Sequence, residues 1–246
     1  MSPSLPTTAA RRPLVWMPYL LGAGLVASLV FVFFVAPTEL KMGEVQRIFY
    51  FHVASATAAL VGFIGCALAS LAYLVLRMMR GYEVLARVAD RLAVSFGEVG
   101  VLFGLIVLIT GPLWAKPAWN TFWTWEPRLV LMLLTVFLFV GYLVLRGYAK
   151  TDDLGKRLAA GIAVIGGPAV YLIHVAVEMW GGNHPQVMTG QGGGLEPGPM
   201  RTTFALSLAS LCLFAGYLVW QRYQHHRLVE QVDDAYLTLS DLEEQP

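Results

Sequence analysis

The stretch LIVLITGPLWAKPAWNTFWTWEPRLVLMLLTVFLF, Leu105–Phe139, decides how this chain is read. Its two ends are aliphatic and aromatic runs suited to lipid. Its middle, Trp114 to Trp125, packs four of the chain's seven tryptophans into twelve residues. Two membrane spans joined by a crowded aromatic connection is the simplest account, and the rest of the chain agrees with it. At 57% hydrophobic, 13% charged and a mean hydropathy of +0.62, the composition is too apolar for an ordinary soluble domain.

A span needs ~20 mostly apolar residues. Six stretches qualify: Leu14–Ala36, Val53–Leu76, Leu92–Leu113, Leu129–Leu145, Leu158–Val177 and Thr202–Trp220. The fourth is short and borrows flanking residues. Arg11 and Arg12 precede the first as they would a secretory signal. Its apolar run is too long for that role, however, and no small-residue cleavage site follows, so it counts as a span. The fold class expected is all-α, a polytopic bundle of six transmembrane helices. With the N-terminus inside, the inner connections hold twelve Lys and Arg and the outer ones five: Lys41, Arg47, Lys116, Arg128 and Arg201. That bias puts both termini in the cytoplasm. The segments Pro37–His52, Trp114–Arg128 and Glu178–Arg201 then share the outer face. The acidic end after Arg222 reads as a polar, partly disordered cytoplasmic tail.

Pro117 and Pro127 bracket a short outer helix in this reading, one opened and the other closed by proline. Trp119, Trp123 and Glu126 would lie along one face of it, an aromatic shelf ending in a carboxylate. Tryptophan also favours the headgroup zone for its own sake, but an interfacial belt spreads over all helix ends and here one connection takes most of it. A flat aromatic shelf suits a large, flat, apolar ligand, and Arg128 and Arg47 on the same side could pair with carboxylates at its edge. Haem, a quinone head or a bile-acid-like amphiphile all meet part of that description.

The histidines narrow it. His225 and His226 belong to the tail and read as a solvated pair. His52, in RIFYFHVASA, and His184, in WGGNHPQ, stand on the outer face on either side of the tryptophan segment. Two neutral imidazoles give a six-coordinate haem iron. His174, deeper in the fifth span, reads as a buried hydrogen-bond partner. Glu178, one turn from it, could orient His174 or a tryptophan. Glu98, toward the cytoplasmic side, reads as a structural pair or an end residue.

Other classes are disfavoured. A net charge of +1 without a basic run argues against nucleic acid. Cys66 and Cys212 form no CxxC, and there is no CxxCH, so thiol exchange and covalent haem attachment to this chain are not expected. A b-type electron carrier would set its histidines within the spans, often as pairs for two haems. A substrate transporter would need polar residues running across the bilayer.

The segment WAKPAWNTFWTWEPRL resembles the tryptophan-rich "WWD" signature of the haem-handling proteins of cytochrome c maturation. With six spans, the RIFYFHVA segment and the VEMWGGNH segment, the resemblance is closest to the CcmC family, the haem exporter protein C, over nearly the whole chain. The related protein of the other maturation route is longer, with more spans and histidines. The resemblance implies no catalysed reaction. It implies haem b (iron protoporphyrin IX) held at the outer face of the bacterial inner membrane, ligated by His52 and His184. Trp114, Trp119, Trp123 and Trp125 would cradle the ring, with Arg128 in the matching position after the acid Glu126; Arg47 and Glu178, read from the residues alone, complete the expected site. The implied partners are the haem chaperone CcmE, the small protein CcmD, the ABC subunits CcmA and CcmB, and membrane lipid. The chain has no G-x-x-x-x-G-K-[ST] motif and so would not be the ATPase. It departs from the family pattern in Glu126 for an aspartate, in Pro127 for a small residue, and in Phe122 where another tryptophan is common. Residues 1–222 would form the haem-handling domain and 223–246 the tail, with the Gly/Pro-rich PQVMTGQGGGLEPGP after His184 a flexible outer loop.

Overall fold

The computed structural model describes residues 15–40, 42–148, 153–184, 195 and 198–243. Arg11, Arg12, Leu14, Lys41, Lys150 and most of the loop after His184 lie outside them, together with the expectations placed on those residues. Among the described residues six helices and no strand are present: α1 (Met17–Val30), α2 (Arg47–Met78), α3 (Glu83–Trp119), α4 (Pro127–Tyr148), α5 (Asp153–Trp180) and α6 (Pro199–Glu243). Each is long and apolar enough to cross a membrane, α1 together with the π-helical turn Phe31–Val35 that continues it. The all-α, six-span architecture expected from the sequence is therefore the one found.

Small residues set the packing. On α2, Ala54, Ala58 and Gly62 recur every four residues and are buried; on α3, Ala93, Gly97, Gly100 and Gly104 recur at steps of four, three and four and are buried too. The two helices share the most extensive contact in the bundle, and α2 also meets α5 and α6. Lipid offers no hydrophobic drive for helix association, so close backbone approach through small residues is what dispersion packing can exploit. At the centre the Phe63 and Phe139 rings stack at 4.5 Å, joining α2 to α4. Helix α1 packs against α6 at the rim. Leucines, isoleucines and phenylalanines such as Leu68, Ile109, Phe137 and Ile165 point outward and are exposed, as a lipid-facing surface requires.

The ion pairs between helices gather at the end of the bundle where α2 finishes and α3 begins. Arg146 of α4 bonds Asp90 of α3 at 2.8 Å, Arg91 of α3 pairs with Glu230 of α6, and Arg77 of α2 pairs with Asp153 of α5. Glu98 accepts two bonds from the Arg222 guanidinium, at 2.6 and 2.8 Å, and a contact from His226 at 3.1 Å. Glu98 is thus a structural pair, as read. His226, by contrast, is a partner of a half-buried carboxylate instead of half of a solvated pair.

Two further expectations are corrected. The short tryptophan-rich helix does not exist as a separate element. Helix α3 runs on through Pro112 and Pro117 and stops at Asn120, whose φ of 56° is the left-handed conformation that asparagine tolerates, with the Lys116 ammonium on its carbonyl at 3.1 Å. Pro127 begins α4 instead of ending an earlier helix, the first-turn place where its missing N–H costs nothing. The acidic tail is helical as well: α6 continues without a break to Glu243. At about 1.5 Å per residue it is roughly twice as long as the ~30 Å hydrocarbon layer; Arg222, His226 and Glu230 still pair with α3, and the exposed residues 231–241 stand clear of the bundle.

Candidate functional site

The end of the bundle opposite the ion pairs encloses a cavity of about 700 Å³, part of it opening to the surroundings. The start of α2 contributes His52, the last turns of α3 contribute Gly111, Pro112, Trp114 and Trp119, and the bend before α4 contributes Trp123. Arg128 and Met132 come from α4, Ile173 from α5, and His184 from the segment after it. The lining is almost wholly apolar apart from two imidazoles and one guanidinium.

Trp114 organises the two histidines. Its ring, buried in the wall, lies 6.2 Å from that of His52 and 6.3 Å from that of His184, centroid to centroid. Trp119 meets His184 edge-on at 6.4 Å. Two histidines 132 positions apart in the chain are therefore neighbours of a single tryptophan. Phe49 and Phe204 extend the aromatic packing behind Trp114 and fix its plane.

The two imidazoles are held differently. His52 is buried, and its Nδ1 lies 2.8 Å from the Thr110 hydroxyl. His184 follows Gly181 and Gly182, whose φ values of 74° and 150° let the chain leave α5 and fold back over the cavity. Its Nδ1 has no hydrogen-bond partner among the described residues. Burial first, then the Arg128 guanidinium and the His52 ring, hold the His184 imidazole down to about 3. At physiological pH it is neutral and has a lone pair to offer.

Glu126 sits beneath this segment and does not line the cavity. Its Oε2 accepts the Asn183 N–H at 2.7 Å, and Gly182 passes so close that an added Cβ would lie 3.0 Å from the same oxygen. The carboxylate that ends the tryptophan motif thus clamps the backbone carrying His184. Replacing Glu126 by alanine should release that backbone and cost ~2 kcal/mol, the usual worth of a hydrogen bond to a charged group. Ligand binding through His184 should then weaken about tenfold or more, while Glu126→Gln, which keeps an acceptor oxygen, recovers part of it. Equal ligand affinity in the parent and in Glu126→Ala would show that the clamp does not matter.

Three residues expected at the site lie elsewhere. Arg47 donates to Glu44 and to the Val32 carbonyl, with Phe33 under its guanidinium, and is spent on fastening the start of α2. Trp125 is 80% exposed, its ring edge-on to that of Trp123 at 6.0 Å, and it does not line the cavity. Glu178 is exposed on α5. His174 is exposed too, facing away from the core, so the expectation of a buried hydrogen-bond partner fails: its turn of α5 buries Ile173 and Ala176 instead. The sequence reading missed Thr110 and Gly111, although a Thr–Gly–Pro break in an otherwise aliphatic run was a visible signal.

Haem fits these walls. Flat apolar surface faces the ring, and neutral imidazoles are available for iron. Arg128 has no hydrogen bond or ion pair among the described residues, and the buried Nε1 of Trp114 and of Trp123 lack partners, so donors remain for acidic edge groups. No three His, Cys, Asp or Glu side chains converge among the described residues. A pair of imidazoles suits an iron that brings its own equatorial ligands better than a bare ion.

The chain matches the family CcmC, heme exporter protein C, over residues 1–236. It belongs to that family. Proteins named heme exporter protein C are similar to it at about 30% identity. The Escherichia coli K12 protein is 30% identical over 190 residues, 77% of this chain and 74% of its own. That of Rhodobacter capsulatus is 30% identical over 169 residues, 69% and 66%. That of Haemophilus influenzae is 29% identical over 165 residues, 67% of this chain and 62% of its own length, so less than two thirds of that relative is spanned. Membership in the CcmC family and six membrane-crossing helices make the chain a multi-pass membrane protein.

Proposed function

We propose that the protein holds haem at the outer face of the bacterial inner membrane and presents it to the chaperone CcmE during cytochrome c maturation, working with CcmA, CcmB and CcmD. The observation that carries this reading is the meeting of His52 and His184 beside Trp114 in one apolar cavity with Arg128, which has no hydrogen bond or ion pair among the described residues. His52 and His184 are the iron ligands, Trp114, Trp119 and Trp123 the aromatic walls, and Arg128 the partner for a propionate. Arg47 acts only by fastening the start of α2. Both termini are cytoplasmic, and the long α6 projects on that side.

The protein's contribution is placement. Haem is amphipathic, and a cavity at the end of the bundle sets its ring at lipid depth with its acids toward water. With both imidazoles on iron the haem would have no open site for another ligand, and the open side of the cavity would leave one edge of the ring within reach of an acceptor.

The test is a visible spectrum and pyridine haemochrome of the full chain purified in detergent, from cells with and without CcmE. A low-spin six-coordinate spectrum, stronger when CcmE is absent, is the expected result. Absence of haem from both preparations would refute the reading. A b-type electron carrier would hold the same haem whether or not CcmE is made. Exposed Trp125 gives a second check. Trp125→Ala should retain haem at the parent's level yet pass it to CcmE about tenfold more slowly, as loss of an aromatic anchor at a contact surface would. Reduced haem content in that variant would place Trp125 in the cavity wall instead.

A further inference from the structure

The two candidate ligands differ in their support, and the difference has a source in one turn of α3. The Thr110 hydroxyl has a single proton, which it donates to the Ile106 carbonyl at 2.8 Å. Toward His52 Nδ1, 2.8 Å away, it can only accept. The Nδ1 therefore carries the proton and the lone pair is on Nε2. The same turn holds the ring in place: an added Cβ on Gly111 would lie 3.4 Å from His52 Cε1, and Trp114 covers the ring at 6.2 Å. His184 has no equivalent. It sits beyond two glycines in left-handed backbone, off any helix, and its Nδ1 is buried without a partner among the described residues.

Resting on the haem-holding function above, we propose that Thr110 is a positioning residue for iron ligation. It fixes His52 as the Nδ1-protonated tautomer and makes it the stronger axial donor, so that His184 is the ligand that yields when haem is passed on. A hydrogen bond from the distal N–H of a ligating imidazole raises its basicity and locks its plane. The consequence would be unequal ligation: His52 would stay on iron, and the iron–imidazole bond to His184 would break with the electron pair remaining on the imidazole. Exchange of one ligand at a time lets the acceptor take haem without its passing free through water.

The experiment uses the haem-loaded full chain in detergent, with Thr110→Val, Thr110→Ser and Thr135→Val beside the parent. Thr135 bonds the Leu131 carbonyl at 2.7 Å, the same backbone contact without a histidine, and so controls for the helix. The midpoint potential of the bound haem and its rate of loss to an apo-globin are measured. Thr110→Val should raise the potential, because a weaker donor stabilises ferric iron less, and should speed haem loss roughly tenfold. Thr110→Ser and Thr135→Val should match the parent. Thr110→Val behaving as the parent overturns the proposal while leaving haem holding intact. So does Thr110→Ser behaving as Thr110→Val, or Thr135→Val shifting the potential equally. A parent without haem removes both this inference and the function beneath it.

Discussion

His52→Ala is expected to leave the folded protein nearly free of haem, and His184→Ala to leave it with a weakly held, five-coordinate haem. Supporting contacts around a metal are worth roughly 10–100-fold in affinity, and loss of a ligand itself should exceed that. The two variants should differ because His52 is held within α2 by Thr110 and Trp114, whereas His184 rests on aromatic edges and a backbone clamp. Neither change should unfold the bundle, since both rings lie at its end and the main core is built around Phe63 and Phe139. Added imidazole should enter the space left in His184→Ala and restore the six-coordinate spectrum. If both variants keep the parent's spectrum and haem content, the ligands are other residues, and the tryptophans reduce to an interfacial belt.

What the sequence could and could not announce follows from the range of each interaction. The six spans were legible because lipid imposes a length and a composition on each, independent of its neighbours. Helix ends were not. Proline is favoured at the first turn of a helix and only disfavoured in the interior, so neither Pro117, which lies inside α3, nor Pro127, which opens α4, says from sequence alone where a helix begins or ends. The helical tail was hidden for a different reason. Glu230 and His226 look solvated in isolation, and only their meeting with Arg91 and Glu98 of α3 shows why α6 continues past the core. At the site, His52, His184 and Trp114 could be picked by residue type. Glu126 could be singled out too, but not its task, since its partner is a backbone N–H 57 positions away. Arg47 looked available because nothing in the sequence says that the Val32 carbonyl and Glu44 would claim it.

Gly62→Ala should destabilise the protein most among single glycine substitutions, and weaken haem binding along with it. An ideal Cβ there would lie 2.5 Å from the Gly100 Cα and 2.8 Å from its N. The obstacle is backbone, so no rotamer change can relieve it, and α2 and α3 must move apart. Overpacking typically costs ~1–3 kcal/mol, and the upper end applies where the contact cannot yield. The damage should reach the cavity because the same helix pair presents His52 from one side and Thr110 and Trp114 from the other. Gly104→Ala should cost less, because its Cβ would meet the Val136 Cγ2 at 2.8 Å and the Phe63 ring beyond, side chains that can shift. Gly141→Ala meets nothing within 4 Å and should be neutral or mildly stabilising, since alanine is the better helix former. Thermal unfolding of the three variants in one detergent, with haem content read alongside, orders them. Gly62→Ala melting with Gly141→Ala would mean that the α2–α3 approach is looser than 2.5 Å implies, and that the distances at His52 are set by something other than these glycines.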